Sequence, residues 1–199
     1  MLSLVIQAGG QSRRMKQDKA LVPFLGETLI QRVISRLACI ADEIIITSNH
    51  LEQYQFLGHR LVADIIPGRG ALGGLYTALS AAAFPIVAVV ACDMPFANPQ
   101  LLLTGRNLLL SNDAYDAVIP NPPGGREPFH AVYRQQTCLP AIKSALDAGK
   151  WRADAWFDEL NIRFLNAEEI QRDDPTGMAF WNVNTVEELN QAQERAKSL

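Results

Sequence analysis

The run Ile86–Cys92, with sequence IVAVVAC, constrains this chain more than any other stretch. A strand with one face in water alternates apolar and polar residues. This run does not alternate, so both of its faces must be buried, as in the central strand of a parallel sheet. The rest of the chain supplies the elements that such a sheet needs. Leu2–Ile6 is a short apolar run ending in Ala8-Gly9-Gly10, which predicts a buried strand entering a loop. Glu43–Ser48 is β-branched and predicts a second strand, and Arg60–Ala63 a weaker third. Asp116–Ile119 and His130–Arg134 predict two more.

Between them lie helical patterns. One begins at Thr28, a plausible N-cap, with Leu29, Ile30, Val33, Ile34 and Leu37 on one face. Others are predicted over Leu72–Ala83, Pro99–Leu110 and Thr137–Ala148, the last with Pro140 in its first turn. Thr185-Val186-Glu187-Glu188 is a capping box that opens a polar C-terminal helix. Strands alternating with helices across short connections imply an α/β fold, with a doubly wound, mostly parallel sheet and helices on both faces. The 199 residues contain no repeat, low-complexity tract or linker, so one domain over 1–199 is expected.

Composition excludes several roles. Hydrophobic residues are 48% and charged residues 20%, the balance of a globular domain rather than a disordered chain. The net charge of −3 argues against a nucleic-acid partner, which would call for a positive excess. The cation cluster Arg13, Arg14, Lys16 and Lys19, opposed only by Asp18, suits a small phosphorylated ligand instead. Three widely spaced cysteines, Cys39, Cys92 and Cys138, suggest neither a disulfide framework nor a zinc site, and point to a reducing compartment. No run approaches the roughly 20 apolar residues of a membrane span, and the first ten residues lack the basic flank of a signal peptide. A cytoplasmic protein with no membrane partner is the expectation.

In open α/β sheets ligands bind beyond the carboxyl ends of the strands. Gln7 to Lys19, Asn49, Asp64 and Asp93 all follow predicted strands. The glycines of the first loop let its backbone approach a phosphate, exposed N–H groups there form an anion nest, and Arg14 and Lys19 add charge. The spacing is neither GxGxxG nor GxxxxGK[ST], which disfavours dinucleotide oxidoreductases and P-loop enzymes. Asp93 emerges from the end of the buried strand, where a carboxylate can hold Mg²⁺ together with substrate phosphates. The bland alternatives are a turn role for Asp93 ahead of Pro95, and a surface pairing of Lys19 with Asp18 or another surface acid. No nucleophile–base arrangement is visible, and phosphoryl-type transfer needs none: it needs positioning and charge neutralisation.

The segment Ala8-Gly9-Gly10-Gln11-Ser12-Arg13-Arg14-Met15-Lys16-Gln17-Asp18-Lys19-Ala20-Leu21 resembles the signature A-G-G-x-S-x-R-M-G-x-D-K-x-L of the molybdenum cofactor guanylyltransferases. Asp93-Met94-Pro95 resembles their D-x-P, Gly70-Ala71-Leu72-Gly73-Gly74 their G-P-L-x-G, and Asn182–Leu189 their N-V-N-T-P-E-E-L. The departures are Lys16 for a glycine, Gln7 for a leucine, and Ala71 and Val186 for prolines. The resemblance implies a Rossmann-like fold and transfer of GMP from GTP to the terminal phosphate of molybdopterin, with release of pyrophosphate. It implies Mg²⁺ on Asp93, and charge stabilisation by Arg14 and Lys19. It also implies a nucleotide held by Gln7, Ala8, Gly9, Gly10, Lys19, Asn49, Asp64 and Asp93. Asp64 would accept from the N1–H and 2-amino group of guanine. Asn182 and Asn184 fall on the acceptor side, and Arg126–His130 borders it, with His130 in a structural role. Cofactor-synthesis proteins or acceptor enzymes are the transient partners implied. The alternatives are a related cytidylyltransferase, which tends to show A-A-G in place of Ala8-Gly9-Gly10, another small-molecule nucleotidyltransferase, or a non-catalytic nucleotide-binding module.

Overall fold

A computed structural model describes residues 1–9 and 18–198. Its centre is the strand expected from IVAVVAC: β6 (Ile86–Ala91). Beside it lie β1 (Ser3–Gln7), β4 (Glu43–Thr47) and β5 (Arg60–Val62) on one side. On the other lie β8 (His130–Arg134), β7 (Ala117–Pro120) and β9 (Ile162–Leu165). The order across the sheet is β5-β4-β1-β6-β8-β7-β9. All adjacent pairs are parallel except those made by β8, which runs antiparallel to β6 and to β7. The short connection from β8 into the next helix and the loop 121–129 before it permit that reversal without a crossover.

Both faces of the sheet are covered, as the apolar run demands. In β6, Ile86, Ala88 and Val90 join the core on one face, and Val87 and Val89 that on the other. The first core is closed by α1 (Leu29–Leu37), α3 (Pro99–Ser111) and α5 (Ala167–Asp173). The second is closed by α2 (Gly70–Ala81) and α4 (Gln135–Asp147), with Trp156 and Phe157. Each fully buried Val or Ile in β6 contributes roughly 1.5–3 kcal/mol of transfer free energy, so a charge at a buried position of this strand would be strongly destabilising.

The ends of the helices follow local chemistry. Thr28 caps α1 in a full capping box with Gln31, and Asn98 caps α3 ahead of Pro99. Two helices begin two residues earlier than expected. Pro140 therefore lies in the second turn of α4 rather than the first, and leaves the carbonyl of Gln136 without its helical donor. In α2, Gly70 starts the helix with φ +58°, so the glycine-rich stretch Gly70–Gly74 is helical backbone. The hairpin β2 (Pro23–Phe24) and β3 (Glu27–Thr28) turns through Leu25 and Gly26, both at positive φ. That is the twist a two-residue hairpin turn requires.

A third, smaller core joins the chain's ends. Val22 and Phe24 pack with Phe96, Met178, Val183 and with Leu189 and Ala192 of α6 (Val186–Lys197). Phe96 meets the ring of Phe24 edge-on at 6.4 Å and tilts against Trp181 at 5.9 Å. This core ties the C-terminal segment to the loop that follows β6.

Candidate active site

The register of the sheet places the candidate residues. Gln7 is level with Thr47 on one side and Ala91 on the other, and Thr47 is level with Val62. Gly9, Asn49, Asp64 and Asp93 therefore each stand two residues beyond the same rung. Four loops open at one height on the carboxyl edge, where the sheet geometry predicts a ligand.

The centre of this edge is a cluster of three side chains from distant parts of the chain. Lys19 lies in a short 3₁₀ turn, Lys19–Leu21, capped by Asp18. Its ammonium donates to Asn184 Oδ1 at 2.5 Å and stands 3.5 Å from Asp93 Oδ2. The side chains of Lys19 and Asp93 are 20% and 19% exposed, so their attraction is only partly screened by water. Lys19 thus pairs with Asp93 and not with Asp18, which corrects the bland alternative. Asn184 is held in turn. Its N–H donates to Glu188 Oε2 at 2.6 Å, within the capping box of Thr185 and Glu188 that opens α6. The N–H of Val183 donates to the carbonyl of Asp93 at 2.9 Å and fastens the C-terminal segment to the β6 loop. Asn182 stands apart, donating to the carbonyl of Phe180.

Asp93 carries the feature that bears on a metal. Its Oδ1 is buried and has no hydrogen-bond partner among the described residues. Burial raises its pKa, while Lys19 pulls it back. A buried, half-satisfied carboxylate is costly unless a ligand completes it. No group of three or more His, Cys, Asp or Glu side chains gathers among the described residues. A divalent cation would thus take one oxygen from Asp93 and the rest of its shell from phosphates and water, the habit of Mg²⁺. Asp93 fits that demand.

Toward β5, Asn49 and Asp64 bind one another. Asn49 Nδ2 donates to Asp64 Oδ2 at 2.8 Å, and the N–H of Asp64 donates back to Asn49 Oδ1 at 3.2 Å. On the first loop, the Ala8 N–H donates to Thr47 and the Gln7 carbonyl accepts from Cys92. At Gly9 an added Cβ would meet none of the described residues within 4 Å. The Gln7 side chain fills the space beside Gly74, whose missing Cβ would stand 3.3 Å from Gln7 Nε2. A side chain at 74 would therefore crowd the end of the Gln7 side chain. Gly10 and Arg14 lie outside the described residues.

The loop before the antiparallel strand adds Glu127, which the sequence reading gave only as part of Arg126–His130, the segment bordering the acceptor. Val90 pairs with His130 in β6 and β8. Glu127 lies in the turn just before β8, its carbonyl accepting from the His130 N–H at 3.2 Å, near enough to Asp93 to feel its charge. Burial, and then the charge of Asp93, push the Glu127 carboxyl up to about 7. Its place in a loop bordering the acceptor was visible in the sequence, but its approach to Asp93 depends on β8 running antiparallel to β6. Neighbouring Arg126 lies over the faces of Phe164 and Phe157, at 4.6 Å and 5.6 Å from their centroids. His130 is buried and structural: its Nε2 accepts from the Asn98 N–H at 2.9 Å, and burial lowers its pKa to about 4.

Known proteins share this fold. Molybdopterin-guanine dinucleotide biosynthesis protein A from Archaeoglobus fulgidus superposes with a TM-score of 0.84, covering 99% of this chain and 100% of that one at 24% identity. A CMP:2-keto-3-deoxy-manno-octonic acid synthetase complexed with CTP superposes at 0.77, over 100% and 99%, with 14% identity. The fold is therefore that of nucleotidyltransferases. A family model described as the MobA-like NTP transferase domain matches residues 4–161. A relative from Pelotomaculum thermopropionicum, named probable molybdenum cofactor guanylyltransferase, is 37% identical over 194 residues, covering 98% of this chain and 93% of its own. One from Desulfosudis oleivorans, named molybdenum cofactor guanylyltransferase, is 32% identical over 98% of this chain and 95% of its own. The chain belongs to the MobA-like NTP transferase family, as the resemblance of its Ala8–Leu21 segment implied.

Proposed function

We propose that this enzyme transfers GMP from GTP to the terminal phosphate of molybdopterin and releases pyrophosphate, with Mg²⁺ as cofactor. The observation that carries the reading is the convergence of Lys19, Asp93 and Asn184 at the carboxyl end of the central strand, in a chain of this family. Attack by an acceptor phosphate on the α-phosphorus forms one P–O bond and breaks the α–β bridge. The electron pair of that bridge leaves on pyrophosphate. Lys19 faces the place where that charge grows, and is held there by Asn184 before substrate arrives. A fixed cation of this kind acts on the transition state without reorganising. Asp93 would hold Mg²⁺ through its unpartnered Oδ1. When bound, the metal would neutralise phosphate charge and align the reacting groups.

Asp64 and Asn49 line the outer edge and fit the role of base readers. An ionised carboxylate has about four acceptor sites. Asp64 can keep Asn49 and still accept from the paired donors of guanine, an edge that cytosine lacks. Arg14 and the backbone of Gly9 and Gly10 belong to the same proposal as phosphate contacts, with Gln7 and Ala8 supporting them and Asn182 on the acceptor side. No helix among the described residues is long and apolar enough to cross a membrane; a cytoplasmic location belongs to the same proposal.

The test is incubation with each of the four NTPs, Mg²⁺ and molybdopterin, with product mass as the readout. Only GTP should give the dinucleotide, and Asp93→Ala should give none while keeping its melting temperature. A product from CTP alone would assign the chain to cytidylyl transfer. Normal turnover by Asp93→Ala would remove the metal from that residue.

A further inference from the structure

The short 3₁₀ helix Leu51–Leu57, between β4 and β5, has one fully buried residue, Tyr54. Its neighbours in the turn face outward or half outward. A turn of this kind does not need a tyrosine for burial alone, because phenylalanine would fill the space without a hydroxyl to satisfy. The hydroxyl has a clear partner. It donates to Asp18 Oδ2 at 2.5 Å, across 36 positions of sequence, and lies 3.4 Å from the carbonyl of Ala8. Asp18 Oδ1 accepts from the N–H of Ala20, and the Asp18 carbonyl from the N–H of Leu21. Asp18 is therefore the cap that starts the 3₁₀ turn bearing Lys19. Burial, reinforced by Asp18, raises the Tyr54 pKa, so the phenol stays a donor.

We propose that Tyr54 is a positioning residue for nucleotidyl transfer: through Asp18 it sets the 3₁₀ turn that aims the Lys19 ammonium at Asp93 and Asn184. The inference rests on the transfer reaction proposed above. Lys19 has two anchors in this view. Asn184 holds its tip, and Tyr54 with Asp18 holds its backbone. The same phenol touches both stems of the glycine-rich loop, Ala8 on entry and Asp18 on exit. It thereby ties Ala8 to the residue that precedes the lysine. Reacting groups displaced by about 1 Å lose up to a hundredfold in rate, so loosening one of two anchors should cost roughly tenfold.

The experiment compares Tyr54→Phe, Asp18→Ala and the double variant by two readouts. The first is kcat and KM for GTP. The second is the rate at which Lys19 is acetylated by N-hydroxysuccinimidyl acetate, followed by peptide mass spectrometry with exposed Lys143 as the internal reference. In Tyr54→Phe, kcat should fall roughly tenfold with KM within twofold, and Lys19 acetylation should rise at least threefold relative to Lys143. The double variant should be no worse than Asp18→Ala, because both changes cut one link. Unchanged kcat and unchanged Lys19 labelling in Tyr54→Phe would overturn the proposal, as would losses that multiply in the double variant. If the wild type forms no guanylyl product but the labelling still rises, the transfer reading fails while the positioning role stands.

Discussion

The carboxyl edge of the sheet holds two polar clusters built in opposite ways. Lys19, Asp93 and Asn184 come from three regions of the chain, with 165 positions between Lys19 and its amide partner, and their charged groups are about four-fifths buried. Asn49 and Asp64 are 15 positions apart, lie at the open edge and satisfy one another. The first cluster exists only when the whole domain is folded, and it leaves one carboxylate oxygen unsatisfied. The second needs only β4 and β5 in register and leaves none of its paired groups in want of a partner. A site that must stabilise developing charge benefits from the first design, because a preorganised charge in a partly dry setting interacts strongly. A site that must only hold and select a base is served by the second.

Lys19→Ala should therefore show the largest effect. The expected loss is roughly a hundredfold or more in kcat, the scale seen when one preorganised electrostatic group is removed. GTP affinity should change little, since the loop N–H groups, the metal and the base contacts remain. Steady-state kinetics with a separate GTP Kd and a melting curve will show it. An unchanged kcat would erase the contrast between the clusters and make Lys19 an ordinary structural cation.

Asp64→Asn should have a smaller effect of the opposite kind. The amide keeps the reciprocal geometry with Asn49 but turns one acceptor into a donor, which faces the donors of guanine. The KM for GTP should rise roughly tenfold with kcat within twofold, the pattern of lost uniform binding. A fall in kcat comparable to that of Lys19→Ala would show that the outer pair shares in the chemistry.

These two clusters were not equally legible in the sequence. Asp93 was, because an apolar run buried on both faces has one place in such a sheet, and the residue after it must emerge at the edge. Asn49 and Asp64 were placed at the carboxyl edge by the same rule, and the register sets both just beyond β4 and β5. The partners of these groups were not legible. Nothing local says that Asn184 reaches Lys19, that Asn182 turns away to Phe180, or that Tyr54 is the buried member of LEQYQFL. Those facts depend on how the third core folds the chain's end back onto its beginning. The reversal of β8 was hidden for a related reason. A strand's pattern reports its burial but not its direction, which the connecting loops decide. Trp151–Asn166, mixed in pattern, holds a short 3₁₀ turn and the edge strand β9, where periodicity is weakest.

Glu127 gives the smallest and sharpest prediction, because it couples the reversed strand to the inner cluster. Its carboxyl sits near 4.5 in an unfolded chain and is pushed up to about 7 in the fold, first by burial and then by Asp93. Between these values the folded protein holds a proton that the unfolded chain has lost. Stability must then fall as pH rises through that window and level off above it. Glutamine cannot ionise and escapes this penalty. In the metal-free protein, Glu127→Gln should match the wild type near pH 4.5 and melt higher at pH 8, by roughly one or two degrees for a half-buried group in a domain of this size. Thermal melts at a series of pH values will measure the difference. In an Asp93→Asn background the gain should shrink without vanishing, since burial is the larger cause and the neighbouring charge the smaller. A gain that is the same in both backgrounds would mean that Glu127 does not sense Asp93. A gain greatest at pH 4.5 would reverse the sign of the linkage and leave Glu127 paired with a cation instead.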